Sequence, residues 1–236
     1  ELTPFLLFGK NELIVYVRSE SLASEISKIS HYAKHQVGGI LRNVEIITIP
    51  QTHIDDLYCD AQLSNDLKQG ILNVHISLSS KQKNKTVEIC VKERGIEGLK
   101  TEGKTIHRQK VRIKELKTIL IDSPQLWHAE TPFLYTVEVS LFDNNKKIET
   151  IKKNIGFRKI EIKGNSLLVN NRPVKLRGVA RHDISAYDGR AIKDTVSLHH
   201  DIKQLRNANC NYIRTSHYPP DSYMLDLCDR YGIFVE

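Results

Sequence analysis

Near residue 160 the hydrophobic pattern of this chain changes period, and that change limits the folds open to it. Before it, short runs of alternating apolar and polar residues recur with no long helical stretch between them. The runs are Ile54–Ala61, Gly70–Leu78, Lys85–Lys92, Lys104–Ile113, Thr131–Phe142 and Lys146–Arg158. Asp122-Ser-Pro124, Asp143-Asn-Asn145, Gly95 and Gly98 supply turn chemistry between them. Some six or seven strands in about 110 residues predict an antiparallel sandwich of immunoglobulin-like size. The Cys, Trp, Cys spacing of antibody domains is absent.

After the change, Ile160–Ile162 and Ser166–Val169 read as a short hairpin closed by Asn170-Asn171, with Pro173 following. Val174–Val179 is an apolar strand that runs into Ala180-Arg181-His182-Asp183. Asp194-Thr195 can cap a helix over about 195–208, with Val196, His199, Ile202 and Leu205 on one face and Asn209 closing it. Asn211–Arg214 is the next short strand, and Thr215–Pro219 is a loop. Asp221 or Ser222 opens a second helix, in which Tyr223, Met224, Leu227, Cys228 and Tyr231 repeat at helical spacing until Gly232. Ile233–Val235 is a further strand. Strand, helix, strand, helix, strand is the repeating unit of a parallel α/β fold. Arg181, His182, Asp183, Arg214 and His217 fall just after strand ends, and in a (β/α)8 barrel those loops line the active-site face.

Ahead of the sandwich, residues 12–18 and 40–49 alternate as strands, with Gly38-Gly39 as a tight entry and Pro50 as a stop. Two strands do not make a stable domain, so they call for partners upstream. Glu1-Leu-Thr-Pro-Phe5 carries no Met, no basic start and no signal-peptide core, and Tyr231–Glu236 has no polar tail after it. Both ends read as cut from something longer.

Composition removes several function classes. With 40% hydrophobic and 27% charged residues the chain is an ordinary folded one. No apolar run approaches the roughly 20 residues of a membrane helix. The net charge of +7 comes from scattered bases, and the richest stretches, Lys81–Lys85 and Lys146-Lys147, look like turns between strands, so nucleic acid is not expected. Cys59, Cys90, Cys210 and Cys228 form no CxxC pair, which removes zinc-finger and thioredoxin readings. Cys210 and Cys228 sit in apolar helical contexts as small core residues. A Cys59–Cys90 bridge between neighbouring strands has little to support it. His31 with His35, and His199 with His200, could bind a metal in principle, but no zinc-site spacing of ligands surrounds either pair. Asn84-Lys85-Thr86 matches a glycosylation acceptor, a tripeptide common by chance.

Three residues could carry chemistry at the strand ends. His182 is either a hydrogen-bonded structural histidine or a ligand-facing one. Arg214 cannot shed its charge, so it pairs with an acid if buried. That pair is either structural or holds a catalytic carboxylate ionised. His217 has the same two readings. No nucleophile elbow, Walker loop or zinc spacing occurs in the sequence.

At these residues the chain resembles glycoside hydrolase family 2, the family of large β-galactosidases, β-glucuronidases and β-mannosidases. Asn211-Tyr-Ile-Arg-Thr-Ser-His-Tyr-Pro219, continuing through Cys228-Asp-Arg-Tyr-Gly232, is similar to the family's first signature. Arg177-Gly-Val-Ala-Arg-His182-Asp183 resembles its barrel strand-one motif, and Asn170-Asn-Arg-Pro173 the hairpin before it. Gly156-Phe-Arg158, Leu126-Trp127 with Pro132-Phe-Leu-Tyr135, and Gly39-Ile-Leu-Arg-Asn-Val44 are similar to stretches of the two preceding domains, in the family's order. In β-galactosidases of the family the stretch before Gly39 usually carries an acidic residue and a Trp. Here His31-Tyr-Ala-Lys-His-Gln-Val37 has neither. The loop after Asp183 also lacks the further histidines of the family pattern.

The resemblance implies a mainly β chain with an α/β C-terminal part. Residues 1–50 would end a sugar-binding jelly-roll domain, 51–158 would be an immunoglobulin-like β-sandwich, and 159–236 would start a (β/α)8 TIM-barrel catalytic domain. It implies that His182 and Asp183 bind substrate, with His182 in the −1 sugar pocket. Arg214 would support the site by hydrogen bonding the nucleophile, and His217 would support the same pocket. Retaining hydrolysis needs two carboxyl groups about 5–5.5 Å apart. The family supplies both as Glu residues on later barrel strands, and Glu236 matches neither, so no catalytic carboxylate, metal ligand or cofactor is assigned to this chain. A divalent or monovalent cation and a homo-oligomer belong to what the resemblance allows for the complete enzyme. A β-galactoside or related saccharide is the implied substrate. The alternatives are a β-glucuronidase or β-mannosidase of the same family, or a carbohydrate-binding or scaffold module without catalysis.

Overall fold

Alternation along the strands of residues 54–155 sorts their side chains into a buried and a wet set, and two antiparallel sheets close over the buried one. The computed structural model describes residues 1–18, 21–22, 40, 43–79, 85–99, 103–116, 118–185, 189 and 194–236. Among these the chain is mainly β with few helices. The first sheet holds β1 (Ile54–Leu63), β2 (Gln69–Leu78) and β5 (Ile119–Asp122) in the order β1-β2-β5. The second holds β3 (Lys85–Gly95), β4 (Thr105–Arg112), β6 (Leu134–Asp143) and β7 (Lys146–Ile155) in the order β4-β3-β6-β7. Leu57, Leu72, Val74 and Ile119 of the first sheet share one core with Val87, Ile89, Val91, Val137, Val139 and Leu141 of the second. Asn144 and Asn145 both take positive φ between β6 and β7, the two-residue hairpin geometry their sequence favours. Strand β5 was not expected from the sequence. Four residues, Ile-Leu-Ile-Asp, are too few to show a period before the Asp122 turn.

Past the sandwich, β8 (Ile160–Lys163), β9 (Ser166–Val169) and β10 (Arg172–Pro173) form a small antiparallel sheet. The turn between β8 and β9 is at Gly164, not at Asn170-Asn171 as the sequence suggested. The two asparagines take positive φ and join β9 to β10 instead. The Asn170 side chain accepts from the Lys159 N–H (2.9 Å) and donates to the Trp127 carbonyl (3.0 Å), so it is committed to the sandwich junction.

Strands β11 (Gly178–Arg181), β12 (Tyr212–Thr215) and β13 (Phe234–Val235) are parallel and adjacent, with α1 (Thr195–Asn207) and α2 (Ser222–Tyr231) between them in sequence. Asp194 caps α1 by accepting from the Ser197 N–H, and Asp221 caps α2 by accepting from the Tyr223 N–H. Strand β11 begins four residues later than expected. Asn211 explains this: its side chain and backbone take up Lys175 and Arg177, so those residues never enter the ladder. At Gly178 the ladder starts where a Cβ would lie 1.8 Å from the Tyr212 carbonyl oxygen, a contact only glycine permits. On α1 the buried residues are Leu198 and Ile202, while Val196 is exposed. At about 100° per residue Val196 lies on the far side from Leu198, which corrects the expected face. Helix α2 buries Met224, Leu227 and Cys228 as expected.

The helical segment is locked to the sandwich by directional contacts. Trp127, fully buried, donates its indole N–H to the Asp229 carbonyl (2.8 Å), meets Phe234 edge-on, and lies under the Arg158 guanidinium. Arg230 forks onto both oxygens of Glu97 at 2.8 and 2.7 Å and also reaches Asp226. Asn154 of β7 donates to Asp226 (3.1 Å). The Arg230 hydrogen bonds hold the Glu97 carboxyl below the usual carboxylate range, against the opposing effect of burial.

Two compact units partition the chain: residues 45–183 with 194–236, and residues 1–44 with 184–193. In the second of these, Thr3–Phe5 forms one 3-10 turn and Asn11 brackets Leu7 through its side chain. The expected strands over 12–18 and 40–49 are not in a sheet among the described residues, and those residues are exposed. A strand is defined by its partner, and none is present among the described residues. Leu41 and Arg42 of that second run, Gly38-Gly39, the His31–Val37 stretch with His31 and His35, Lys81–Asn84 and its acceptor asparagine lie outside the described residues.

Candidate functional site

Three strand-end segments converge at the C-terminal edge of the β11-β12-β13 sheet. Along β12 Ile213 is buried, while the next residue, Arg214, points to the opposite face and is exposed among the described residues. His182 follows β11, and His217 and Tyr218 follow β12. The rings of His182 and His217 stand perpendicular with centroids 5.8 Å apart, and the Tyr218 ring is 6.3 Å from His182. The sequence-predicted histidines are therefore brought together. The peptide between Ser216 and His217 is cis, and Ser216 Oγ is buried with no hydrogen-bond partner among the described residues.

Arg214 lies on the same sheet, but its side chain is more than half exposed. Its nearest acid is Glu236, with Nε 3.9 Å from Oε1, an ion-pair distance and not a hydrogen bond. Glu236 accepts a hydrogen bond from the Tyr212 hydroxyl through its other oxygen. Asp183 is buried at 4% exposure, with its Oδ1 on the Arg181 guanidinium at 3.0 Å. Arg181 also donates to Asp201 Oδ2 of α1 at 2.8 Å. Burial works to lower the Arg181 pKa, and the hydrogen bonds to Asp201 and Asp183 outweigh it, so the net shift is upward. The Asp183 N–H donates to the Tyr218 hydroxyl (3.1 Å).

Sequence reasoning singled out His182, Asp183, Arg214 and His217 and missed Tyr218 and Asp201. Tyr218 sits inside the same motif and was overshadowed by its neighbour. Asp201 gave no signal, since one acid on an amphipathic helix is ordinary. His199 is bonded to Tyr231 (2.7 Å) and His200 to Gln204 (2.7 Å). Among the described residues no group of three or more His, Cys, Asp or Glu side chains is placed to hold a metal ion, and no helix is long and apolar enough to cross a membrane. All four cysteines are free thiols. Burial pushes the Cys228 thiol up to about 12 and the Cys59 thiol up to about 11, so neither is a thiolate nucleophile at neutral pH.

The described residues thus join a β-sandwich to parallel β/α units with two histidines gathered at the strand ends. Residues 52–158 match the family model described as "Glycosyl hydrolases family 2", and residues 160–236 match "Glycosyl hydrolases family 2, TIM barrel domain". The chain belongs to glycosyl hydrolase family 2. It is 32% identical to a β-galactosidase of Halalkalibacterium halodurans, over 100% of this chain and 23% of that protein. It is 34% identical to a β-galactosidase of Clostridium acetobutylicum, over 100% of this chain and 25% of that protein. Among solved structures it is similar to a Parabacteroides merdae β-glucuronidase, with a TM-score of 0.73 and 26% identity over 84% of this chain and 25% of that one. The chain thus spans about a quarter of the length of these relatives.

Proposed function

We propose that this chain is a portion of a retaining β-glycosidase that acts on terminal β-galactosides. The observation that carries the reading is the perpendicular His182–His217 pair, on strand ends of a segment aligned over its whole length with β-galactosidases. In this reading residues 1–50 end a jelly-roll domain, 51–158 are an immunoglobulin-like linker sandwich, and 159–236 open a (β/α)8 barrel. His182 contacts the sugar in the −1 pocket. Arg214 hydrogen-bonds the nucleophilic carboxylate and keeps it ionised. His217 supports the same pocket. Asp183 is buried against Arg181, so its part in sugar binding passes through the backbone that carries His182.

Retaining hydrolysis requires an acid/base and a nucleophile about 5–5.5 Å apart. Among the described residues, Asp183 and Glu236 at these strand ends are held by Arg181 and by Tyr212. In this reading the reacting pair belongs to later strands of the complete protein, as the family resemblance implies. The expected result is that the complete protein hydrolyses aryl β-galactosides while the purified 236-residue chain does not exceed a blank. Turnover by the isolated chain after rigorous purification would contradict this division of labour. A β-glucuronidase is the second reading, supported by the Parabacteroides merdae structure. A panel of aryl β-galactoside, β-glucuronide and β-mannoside, run on the complete protein, separates the readings by kcat/KM.

Arg214 gives a sharper test. In the complete protein Arg214→Ala is expected to lower kcat on the order of 100-fold or more, the scale of losing one preorganised donor to a charge. If only KM changes, Arg214 binds substrate uniformly and does not hold the nucleophile.

A further inference from the structure

We propose that Arg181 is a positioning residue for His182: by holding Asp183 and Asp201 at once, it fixes the strand end that presents the histidine. The inference deepens the glycosidase reading and rests on it. Successive residues of a strand point to opposite faces. Arg181 turns toward the helical layer, where it meets Asp201 of α1 at 2.8 Å and Met224 Sδ of α2 at 3.4 Å. His182 turns the other way, to His217 and Tyr218. The guanidinium is one-tenth exposed, and its Nη1 and Nη2 go to different carboxylates on different elements. A planar guanidinium offers separate nitrogens to the two carboxylates in a fixed fork, whereas a lysine ammonium offers a single nitrogen on a flexible stem.

The residues on both sides of His182 are thereby tied down. On one side Arg181 is anchored to α1 and α2. On the other, Asp183 is held through its carboxylate by Arg181 and through its N–H by the Tyr218 hydroxyl. Tyr218 belongs to the loop that carries His217, so the bracket spans both histidines. With its neighbours pinned, the His182 backbone has little freedom to swing, and its ring stands at 90° to that of His217. The competing role for the same contacts is to hold α1 against the sheet, which affects stability alone.

The test is made in the complete protein, on an aryl β-galactoside. Arg181→Met keeps the apolar stem and removes both ion pairs. It is expected to lower kcat/KM by roughly 10- to 100-fold, mainly in kcat, the scale of an ångström-sized misplacement. The loss should be non-additive with His182→Ala: the double variant should be no slower than His182→Ala alone, within about twofold. Additive losses, or wild-type kcat/KM with only a lower Tm, overturn the proposal. Should Arg181→Met fail to fold, Asp201→Asn decides by the same cycle, since it loosens one arm of the fork and preserves side-chain size. A wild-type protein inactive on the whole glycoside panel removes the glycosidase reading and this inference with it. An active wild type with an indifferent Arg181→Met removes this inference alone.

Discussion

Replacing Gly232 by alanine is expected to cost roughly 4 kcal/mol or more, within the range that only a few mechanisms reach. Two penalties combine. Gly232 ends α2 with φ at +72°, where an L-residue loses about 1–2 kcal/mol. Its Cβ would also lie 2.1 Å from the Ala129 carbonyl oxygen and 2.7 Å from the carbonyl carbon. Those are backbone atoms of a tight turn closed by His128 and Thr131, so no side chain can swing aside. Either the helix end or the turn must move, and both belong to the junction between sandwich and helices. Thermal unfolding should show Tm lowered by about 10 °C or more, at a few degrees per kcal/mol for a unit of this size. Gly164→Ala is the control. Gly164 also has positive φ, but nothing lies within 4 Å of the added Cβ, so only the backbone penalty applies. Equal losses in the two variants would mean that Gly232 and Ala129 are not in contact.

Trp127→Ala should destabilise by about 3–5 kcal/mol, as for other fully buried aromatic side chains cut to a methyl. The ring is at 1% exposure and packs on Phe234, while Arg158 covers it. Trp127→Phe separates packing from hydrogen bonding. It keeps an aromatic ring at the joint and leaves the Asp229 carbonyl without its donor, for about 1–2 kcal/mol. Urea unfolding followed by circular dichroism measures both. The wild type can also be followed by fluorescence, because Trp127 is the single tryptophan of the chain. Equal losses for the two variants would place the whole contribution in the hydrogen bond and none in the ring.

The sandwich strands were legible because period two is a local property. Gln69–Leu78 shows it, with Gly70, Leu72 and Val74 buried between less buried neighbours. The order β4-β3-β6-β7 was not legible, since nothing in Lys85–Gly95 states which strands will flank it. The same limit defeated the runs at 12–18 and 40–49. Their alternation is real, but it records only a capacity to pair. At the strand ends, residue type and place sufficed to single out His182 and His217, whose rings the structure brings together. The support behind them was hidden because Asp201 is twenty residues from Arg181 and Tyr218 thirty-five from Asp183. Gly232 was legible as a helix stop, but not as the point where that helix meets the turn at Ala129.

The junction around Trp127, Arg230 and Glu97 bears on how the chain comes apart. The family models change over between residues 158 and 160, while the contacts place 45–183 and 194–236 in one compact unit. Helix α2 gives its Asp229 carbonyl, its Asp226 carboxylate and its Arg230 side chain to partners in the sandwich. In amide-exchange terms, α2 is then expected to open together with the sandwich. The border between cooperative units is thus displaced from the border between homologous modules, and a truncation at residue 158 would cut through the more strongly coupled half.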